Sequence, residues 1–157
     1  MPHTQTNKHA FIRFLEDHAD DRAMLAKLRR GLGREPGAVP AVLPYIAPFL
    51  GTGKEADLFL IAPLFALHPL SESEGNMGDH MRELAGERSS QAAENHFLRL
   101  LDTRRDTLEP PLRRAVSMLG ERGIRVNWYQ LMRDIRNWDH PEHFVQRNWA
   151  RAFWRPK

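Results

Sequence analysis

The sequence contains no cysteine, which excludes disulfide bonds and thiolate metal sites and is typical of a reducing compartment. It also lacks a long apolar run, since the most apolar stretch, residues 58–67, is about half the roughly 20 residues of a membrane span. The chain begins without the apolar segment of a signal peptide. Its 157 residues, 41% hydrophobic and 27% charged, have the composition of a globular protein. We therefore expect a cytoplasmic protein with no membrane contact.

Lysine is scarce, with 4 lysines against 19 arginines. Arginine binds phosphates through paired N–H groups and stacks on planar rings, so phosphate binding would explain the preference. A genome rich in G and C would explain it equally well. The charges are unevenly distributed, because residues 51–91 carry 3 basic and 7 acidic side chains whereas residues 92–157 carry 13 and 8. An acidic middle therefore precedes a basic C-terminal part.

The spacing of apolar residues is helical throughout, and no run alternates with the period of two that a strand requires. The sequence predicts an all-α fold of two small helical bundles packed together, without a β-sheet. Residues 71–90 are polar, acidic and contain glycine, which predicts a loop or a boundary between the bundles. We therefore place an N-terminal bundle at residues 1–88 and a C-terminal bundle at residues 89–157. The helix near 55–67 is apolar almost all round and should form the buried centre of the first bundle.

Local signals predict where several helices begin. Asp20 is expected to cap the second helix, and Ser89 or Ser90 to cap the helix that follows the acidic stretch. Asn127 and Gln130 have the spacing of a capping box. A linker of short kinked turns is predicted where prolines recur at every fourth residue, at Pro36, Pro40, Pro44 and Pro48.

All four tryptophans lie in residues 128–154, together with four arginines and no lysine. A helical projection separates buried from exposed positions in this stretch. The first buried arc is predicted to contain Trp128, Leu131, Met132, Ile135 and Trp138. A final helix is predicted to bury Val145, Trp149, Ala152 and Phe153. The exposed positions are predicted to be Tyr129, Arg133 and Arg136 beside the first arc, and Arg147, Arg151 and Trp154 on the final helix.

Four segments carry a resemblance to a known family. They are LAKLRRGLGREPG at 25–37, LFALHP at 64–69, FLRLLDTRRDTLEPPLRRAVSML at 97–119, and VNWYQLMRDIRNW with WARAFW within 126–154. In their order and spacing they resemble the CasB family, the small subunit of the type I-E CRISPR interference complex Cascade. The resemblance covers nearly the whole chain. It depends on the order and spacing of the four segments and not on any single motif.

The resemblance implies an all-helical protein of two small bundles, without catalytic activity and without a cofactor. It implies two copies of the chain along the belly of the complex, in contact with the backbone and large subunits of Cascade. The implied role is to bind the displaced, single-stranded non-target DNA beside the CRISPR RNA-guided target complex. Such binding would stabilise both the R-loop and the complex.

The resemblance also implies a basic groove. Its residues are identified in this sequence position by position, from the matched segments. The matched segments do not distinguish Arg104 from Arg105, and Arg133 and Arg136 are included because their spacing predicts exposure. Tyr129 is a candidate for base stacking, with a position on the shoulder of the core as the alternative. The predicted nucleic-acid-binding residues are Lys27, Arg29, Arg30, Arg99, Arg104, Arg105, Arg113, Arg114, Arg133 and Arg136.

Three short patterns resemble catalytic or metal sites, but we predict no enzymatic activity and no metal. HPEH at 140–143 lacks a third ligand, and GTGK at 51–54 lacks the full spacing of a phosphate loop. EDHADD at 16–21 is expected to cap a helix and offset nearby arginines rather than to form a nuclease site. The alternative function that remains is a purely structural helical adaptor whose basic faces contact acidic protein partners.

Overall fold

The computed structural model describes residues 10–51, 55–86 and 90–156. Within these residues the β-type pairing is limited to an isolated bridge between Ser71 and Val126, so the all-α prediction is confirmed. The described residues do not include Gly53 and Lys54 of the GTGK segment, or Ser89, one of the two predicted helix caps. The α-helices are α1 (Ala10–Asp17), α2 (Arg22–Arg29), α3 (Leu43–Ile46), α4 (Glu55–Leu67), α5 (Met77–Ala85), α6 (Gln91–Leu101), α7 (Glu109–Glu121), α8 (Trp128–Arg136) and α9 (Phe144–Phe153).

The chain divides into two compact units, Met1–Pro69 and Leu70–Lys157. This division falls earlier in the sequence than the expected one between residues 88 and 89. The difference comes from α5, which packs against α6, α7 and α9 and therefore belongs to the second unit.

Residues 71–90, predicted to be a loop or a boundary between the bundles, are not a loop throughout, because α5 lies within that stretch. Asn76 Oδ1 accepts a hydrogen bond from Asp79 N at 3.2 Å, and Asp79 Oδ2 accepts one from Asn76 N at 2.9 Å. This reciprocal capping box begins the helix. The buried side contains Met77, Met81 and Leu84, whose spacing is helical. Glycines and charged residues between them obscured that spacing in the sequence.

The first unit is organised around α4, which α1, α2 and α3 contact. As predicted, α4 is buried on nearly every side, although Pro63 lies inside it. The proline-rich segment forms two short 3-10 helices that flank α3, as the prediction of short turns implied. The cap of α2 is Asp21 rather than Asp20, since the Asp21 carboxylate accepts a hydrogen bond from Met24 N at 3.0 Å. Capping requires the residue directly before the helix, and two adjacent aspartates look alike in a sequence.

The second unit depends on its tryptophans, three of which are core residues as predicted. Trp128, Trp138 and Trp149 are at most 1% exposed, whereas Trp154 is 44% exposed. Every residue of the first predicted arc is buried, and in the second arc only Ala152 is half-buried rather than buried.

Each of the three buried tryptophans donates its indole N–H to an acceptor elsewhere in the second unit, as buried tryptophans generally require. Trp128 Nε1 donates to the Leu70 carbonyl at 3.1 Å, and Trp138 Nε1 donates to the Thr103 carbonyl at 2.8 Å. Trp149 Nε1 donates to Asp134 Oδ2 at 2.7 Å, so this bond links α9 to α8. The tryptophans therefore fix the positions of the two C-terminal helices against the rest of the unit.

The capping box predicted for Asn127 and Gln130 forms only in part. Asn127 Oδ1 accepts a hydrogen bond from Gln130 N at 3.1 Å, but the Gln130 amide donates to Asp134 Oδ1 at 2.9 Å. The Asn127 backbone N–H donates instead to His80 Nε2 at 3.0 Å. Because Nε2 accepts this bond, the proton of the neutral imidazole is on Nδ1, 3.8 Å from Glu72 Oε2.

The described part of the chain contains no helix with both the length and the apolar character that crossing a membrane requires.

The contact between α5 and α9 permits no side chain at Gly78. A Cβ atom at this position would lie 2.0 Å from the Trp149 carbonyl oxygen. We expect Gly78→Ala to lower the free energy of unfolding by about 1–3 kcal/mol, because α9 must move away. Elsewhere in a helix, alanine is favoured over glycine by about 1 kcal/mol. A lower free energy of unfolding for Gly78→Ala would therefore itself indicate the close contact. Urea denaturation measures the change, and Gly51→Ala is the control, since Gly51 lies outside the helices and its added Cβ would meet no other residue within 4 Å beyond its chain neighbours. A stabilised Gly78→Ala protein would contradict the close contact.

Burial lowers the pKa of His80 to about 4, although the Asp79 carboxylate opposes the shift. The unfolded chain, with a histidine pKa near 6.5, therefore binds more protons between about pH 4 and 6.5 than the folded chain does. We expect acidification across this window to remove up to about 3 kcal/mol of stability through His80. His80→Gln keeps an acceptor for Asn127 N and should abolish this component in urea denaturation at several pH values. The assignment would be refuted if the stability of the wild-type and His80→Gln proteins depended equally on pH. The same comparison is made with Glu72→Gln in both proteins, because the Glu72 carboxylate lies beside His80.

Candidate nucleic-acid interface

The predicted basic residues of the first unit lie at the C-terminal end of α2. Met24, Leu25 and Leu28 form the buried stripe of this helix. Lys27, Arg29 and Arg30 are exposed. The Arg29 Nη1 atom donates a hydrogen bond to the Ala66 carbonyl in the last turn of α4 at 3.0 Å. Arg29 therefore caps a helix end, which limits its freedom to bind a ligand, whereas Lys27 and Arg30 have no such role.

In the second unit, Arg99 and Arg114 are brought close to the same buried residue, His96. Arg99 lies in the last turn of α6 and Arg114 in α7, and both side chains are exposed. His96 Nε2 donates to the Pro111 carbonyl at 3.0 Å and so joins the two helices. Burial lowers the pKa of His96, and the charges of Arg114 and Arg99 lower it further. The two guanidiniums from different helices therefore create one local positive field.

Arg113 precedes Arg114 on α7, and we name Arg99, Arg113 and Arg114 the α6–α7 basic patch. Arg113 is less available than Arg114, because its Nε lies 3.6 Å from Glu109 Oε1, four residues earlier on α7. A partly exposed ion pair of this kind contributes little stability, so a phosphate could replace the carboxylate.

Arg104 and Arg105, which the matched segments do not distinguish, differ in their exposure to solvent. The Arg104 side chain is 82% exposed and only loosely paired, with its Nε 3.8 Å from Asp106 Oδ1. The Arg105 side chain is half-buried, and its backbone N–H donates to Asp139 Oδ1 at 3.0 Å. Arg104 is therefore the better placed of the two to contact a ligand.

The strip beside α8 is only partly exposed. Arg133 is exposed, whereas Tyr129 and Arg136 are half-buried. The Arg133 Cζ atom lies 5.6 Å from the centroid of the Tyr129 ring, a cation–π distance. Tyr129 consequently packs against the shoulder of the core, with an arginine over its ring.

His96 and Asp134 are among the buried polar residues that escaped the sequence reasoning. His96 lies on the buried face of α6 with Ala93, Phe97 and Leu100, and this spacing could have revealed it. Asp134 is buried in α8, where it accepts bonds from Trp149 and Gln130. Burial raises the pKa of Asp134, and these two hydrogen bonds oppose the rise. No sequence pattern predicts the partner indole, because it comes from the next helix.

The HPEH and EDHADD segments have structural contacts of their own. His140 Nδ1 accepts a hydrogen bond from Glu142 N at 3.1 Å, and its ring packs on Phe144. Asp21 caps α2 as described above. Among the described residues, no group of three or more potential ligands is arranged to hold a metal ion.

Comparisons with known proteins agree on one family. The family described as CRISPR-associated protein Cse2 matches residues 24–154. The chain is 35% identical over 140 residues to the CRISPR-associated protein Cse2 of Thermus thermophilus, and the match covers 84% of this chain and 79% of that protein. CasB from Thermus thermophilus has a similar crystal structure, with a TM-score of 0.81, 31% identity and coverage of 94% and 97% of the two chains.

A chain in a CRISPR RNA-guided surveillance complex shares the fold, with a TM-score of 0.82 over 96% of this chain and 92% of that one. Its identity of 21% limits this likeness to the fold. The sequence match covers most of the helices described above, from α2 to α9. The chain therefore belongs to the Cse2 family of CRISPR-associated proteins.

Proposed function

We propose that this protein is the non-catalytic small subunit of the type I-E Cascade complex and binds the displaced non-target DNA strand through exposed arginines. Membership of the Cse2 family supports the proposal. So does the fold shared with a chain of a CRISPR RNA-guided surveillance complex. Its proposed partners are the other Cascade subunits, a second copy of itself, the CRISPR RNA-guided target complex and the displaced strand.

The observation that carries the DNA-binding part is the α6–α7 basic patch. Arg99 and Arg114 are held by two helices that His96 joins, and both remain exposed to solvent. Because their backbone positions lie on joined helices, binding would order the two side chains but no loop. Arg30 and Lys27 of the first unit are proposed to contribute further phosphate contacts.

The energetics of strand exchange explain why such a surface would be useful. The RNA–DNA hybrid is about as stable as the DNA duplex that it replaces, so small contributions from protein contacts decide whether the R-loop stays open. Phosphates are identical at every position of the displaced strand, and arginines can therefore hold it without reading its sequence. No bond is made or broken in this role, which needs neither a metal nor a cofactor.

The double substitution Arg99→Ala/Arg114→Ala tests the patch. We expect weaker binding of labelled single-stranded DNA, and a plot of log K against log salt that is shallower by about 1.4, because two phosphate contacts are lost. Fluorescence anisotropy across salt concentrations measures both quantities.

The matched control is Arg13→Ala/Arg122→Ala, which removes the same charge from two exposed positions outside the predicted set. An equal loss in the control would contradict a specific patch. Unchanged DNA binding, combined with loss of the Arg99→Ala/Arg114→Ala protein from assembled Cascade, would favour the structural adaptor instead.

Single substitutions distinguish the two neighbouring arginines of the α6–α7 connection. We expect Arg104→Ala to weaken DNA binding more than Arg105→Ala, because only the Arg104 side chain is largely exposed. Arg105→Ala should act chiefly on stability, since its side chain is half-buried. Anisotropy and urea denaturation of both variants give the two readouts. The opposite order in DNA binding would contradict the assignment of Arg104.

A further inference from the structure

The outward face of α9 is basic and lies outside the predicted set of binding residues. Arg147, Asn148, Arg151 and Trp154 are exposed, while Val145, Trp149 and Phe153 on the opposite face are buried. We name these four exposed residues the α9 face. No acidic residue occurs in α9, and the two arginines lie about 6 Å apart along the helix axis.

Trp154 differs from the other tryptophans because a large part of its ring is exposed, 44% against at most 1%. The ring is nevertheless fixed in place. Its Nε1 donates to Glu94 Oε1 at 2.8 Å, and its centroid lies 4.7 Å from that of Phe153 and 5.5 Å from that of Phe97. An exposed aromatic ring that is held rigidly is a suitable surface for stacking an unpaired base.

The arginines of this face have no partner within the described residues, since neither the Arg147 nor the Arg151 side chain forms a hydrogen bond or an ion pair there. The carboxylates that border the cleft beside Arg151 are already engaged. Asp79 pairs with Arg155, and Asp134 accepts bonds from Trp149 and Gln130. The positive charge of Arg151 is therefore not offset by a dedicated carboxylate.

We infer that the α9 face binds unpaired nucleotides, with Arg147 and Arg151 at backbone phosphates and one base stacked on Trp154. The chemistry combines charge and an aromatic surface, as sequence-independent single-strand binding requires. An acidic protein would satisfy the arginines but would leave the indole surface without a planar partner. The inference rests on the proposed function and deepens it, because it adds contacts from residues outside the α6–α7 basic patch, and it is complete within one chain.

Intrinsic fluorescence gives the most specific test, because Trp154 is the tryptophan that a base can reach. Oligothymidylate added to the full-length protein should quench part of the emission, whereas an abasic oligonucleotide of equal length should bind through phosphates without that quenching. Trp154→Phe keeps an aromatic face and should retain binding in an anisotropy assay while losing the quenching. Oligouridylate in a parallel titration distinguishes a preference for RNA from one for DNA.

Two further variants quantify the contacts. We expect Trp154→Ala to weaken oligothymidylate binding by about 5- to 150-fold, as removal of one base stack does, and to leave abasic binding nearly unchanged. Arg147→Ala/Arg151→Ala should weaken binding of both oligonucleotides and reduce the salt dependence, compared with Arg13→Ala/Arg122→Ala. Circular dichroism and thermal unfolding confirm that each variant is folded before its binding is compared.

The outcomes separate this inference from the proposed function. If Arg99→Ala/Arg114→Ala weakens binding while the α9 variants equal their control, the inference is wrong and the proposed patch stands. If only the α9 variants weaken binding, the inference stands and the proposed patch falls. No binding by the wild-type protein at low salt would overturn the inference, because the face needs no second chain. Loss of the α9 variants from assembled Cascade with unchanged DNA binding would identify a protein contact and overturn it as well.

Discussion

The hydrogen bond between the Trp149 indole and the buried Asp134 carboxylate is the interaction on which the second unit depends. A buried carboxylate is tolerated only when its oxygens are satisfied, and here the second oxygen accepts a bond from Gln130. This bond fixes α9 against α8, and the backbone of Trp149 in turn lies so close to Gly78 that α5 can approach it only without a side chain. Three helices are thereby positioned around one polar bond in an apolar core.

Three of the four tryptophans point inward, and the exposed positions of α8 and α9 include Arg133, Arg147 and Arg151. The C-terminal stretch is therefore both a packed core and a charged surface, and its composition serves both. The helices that carry the arginines are joined by polar contacts such as that between His96 and the Pro111 carbonyl.

Helical periodicity predicted the buried faces of α8 and α9 almost residue by residue, because burial of one face imposes that spacing directly. It failed for α5, where methionines and a glycine rather than a run of leucines form the buried side. It could not choose Asp21 over Asp20, and it could not show that Arg99 and Arg114 share a neighbour. These last features arise from tertiary packing, in which residues distant in sequence meet. The difference in exposure between Arg104 and Arg105 has the same origin.

The order of the tryptophans has a consequence for the synthesis of the chain. Leu70 and Thr103 receive their indole partners from Trp128 and Trp138, and α5 receives its partner from α9. The second unit therefore cannot complete its core until α9 has left the ribosome, whereas every helix of the first unit precedes Pro69. Vectorial synthesis should therefore leave the face of α5 that packs on α9 exposed until that last helix has emerged.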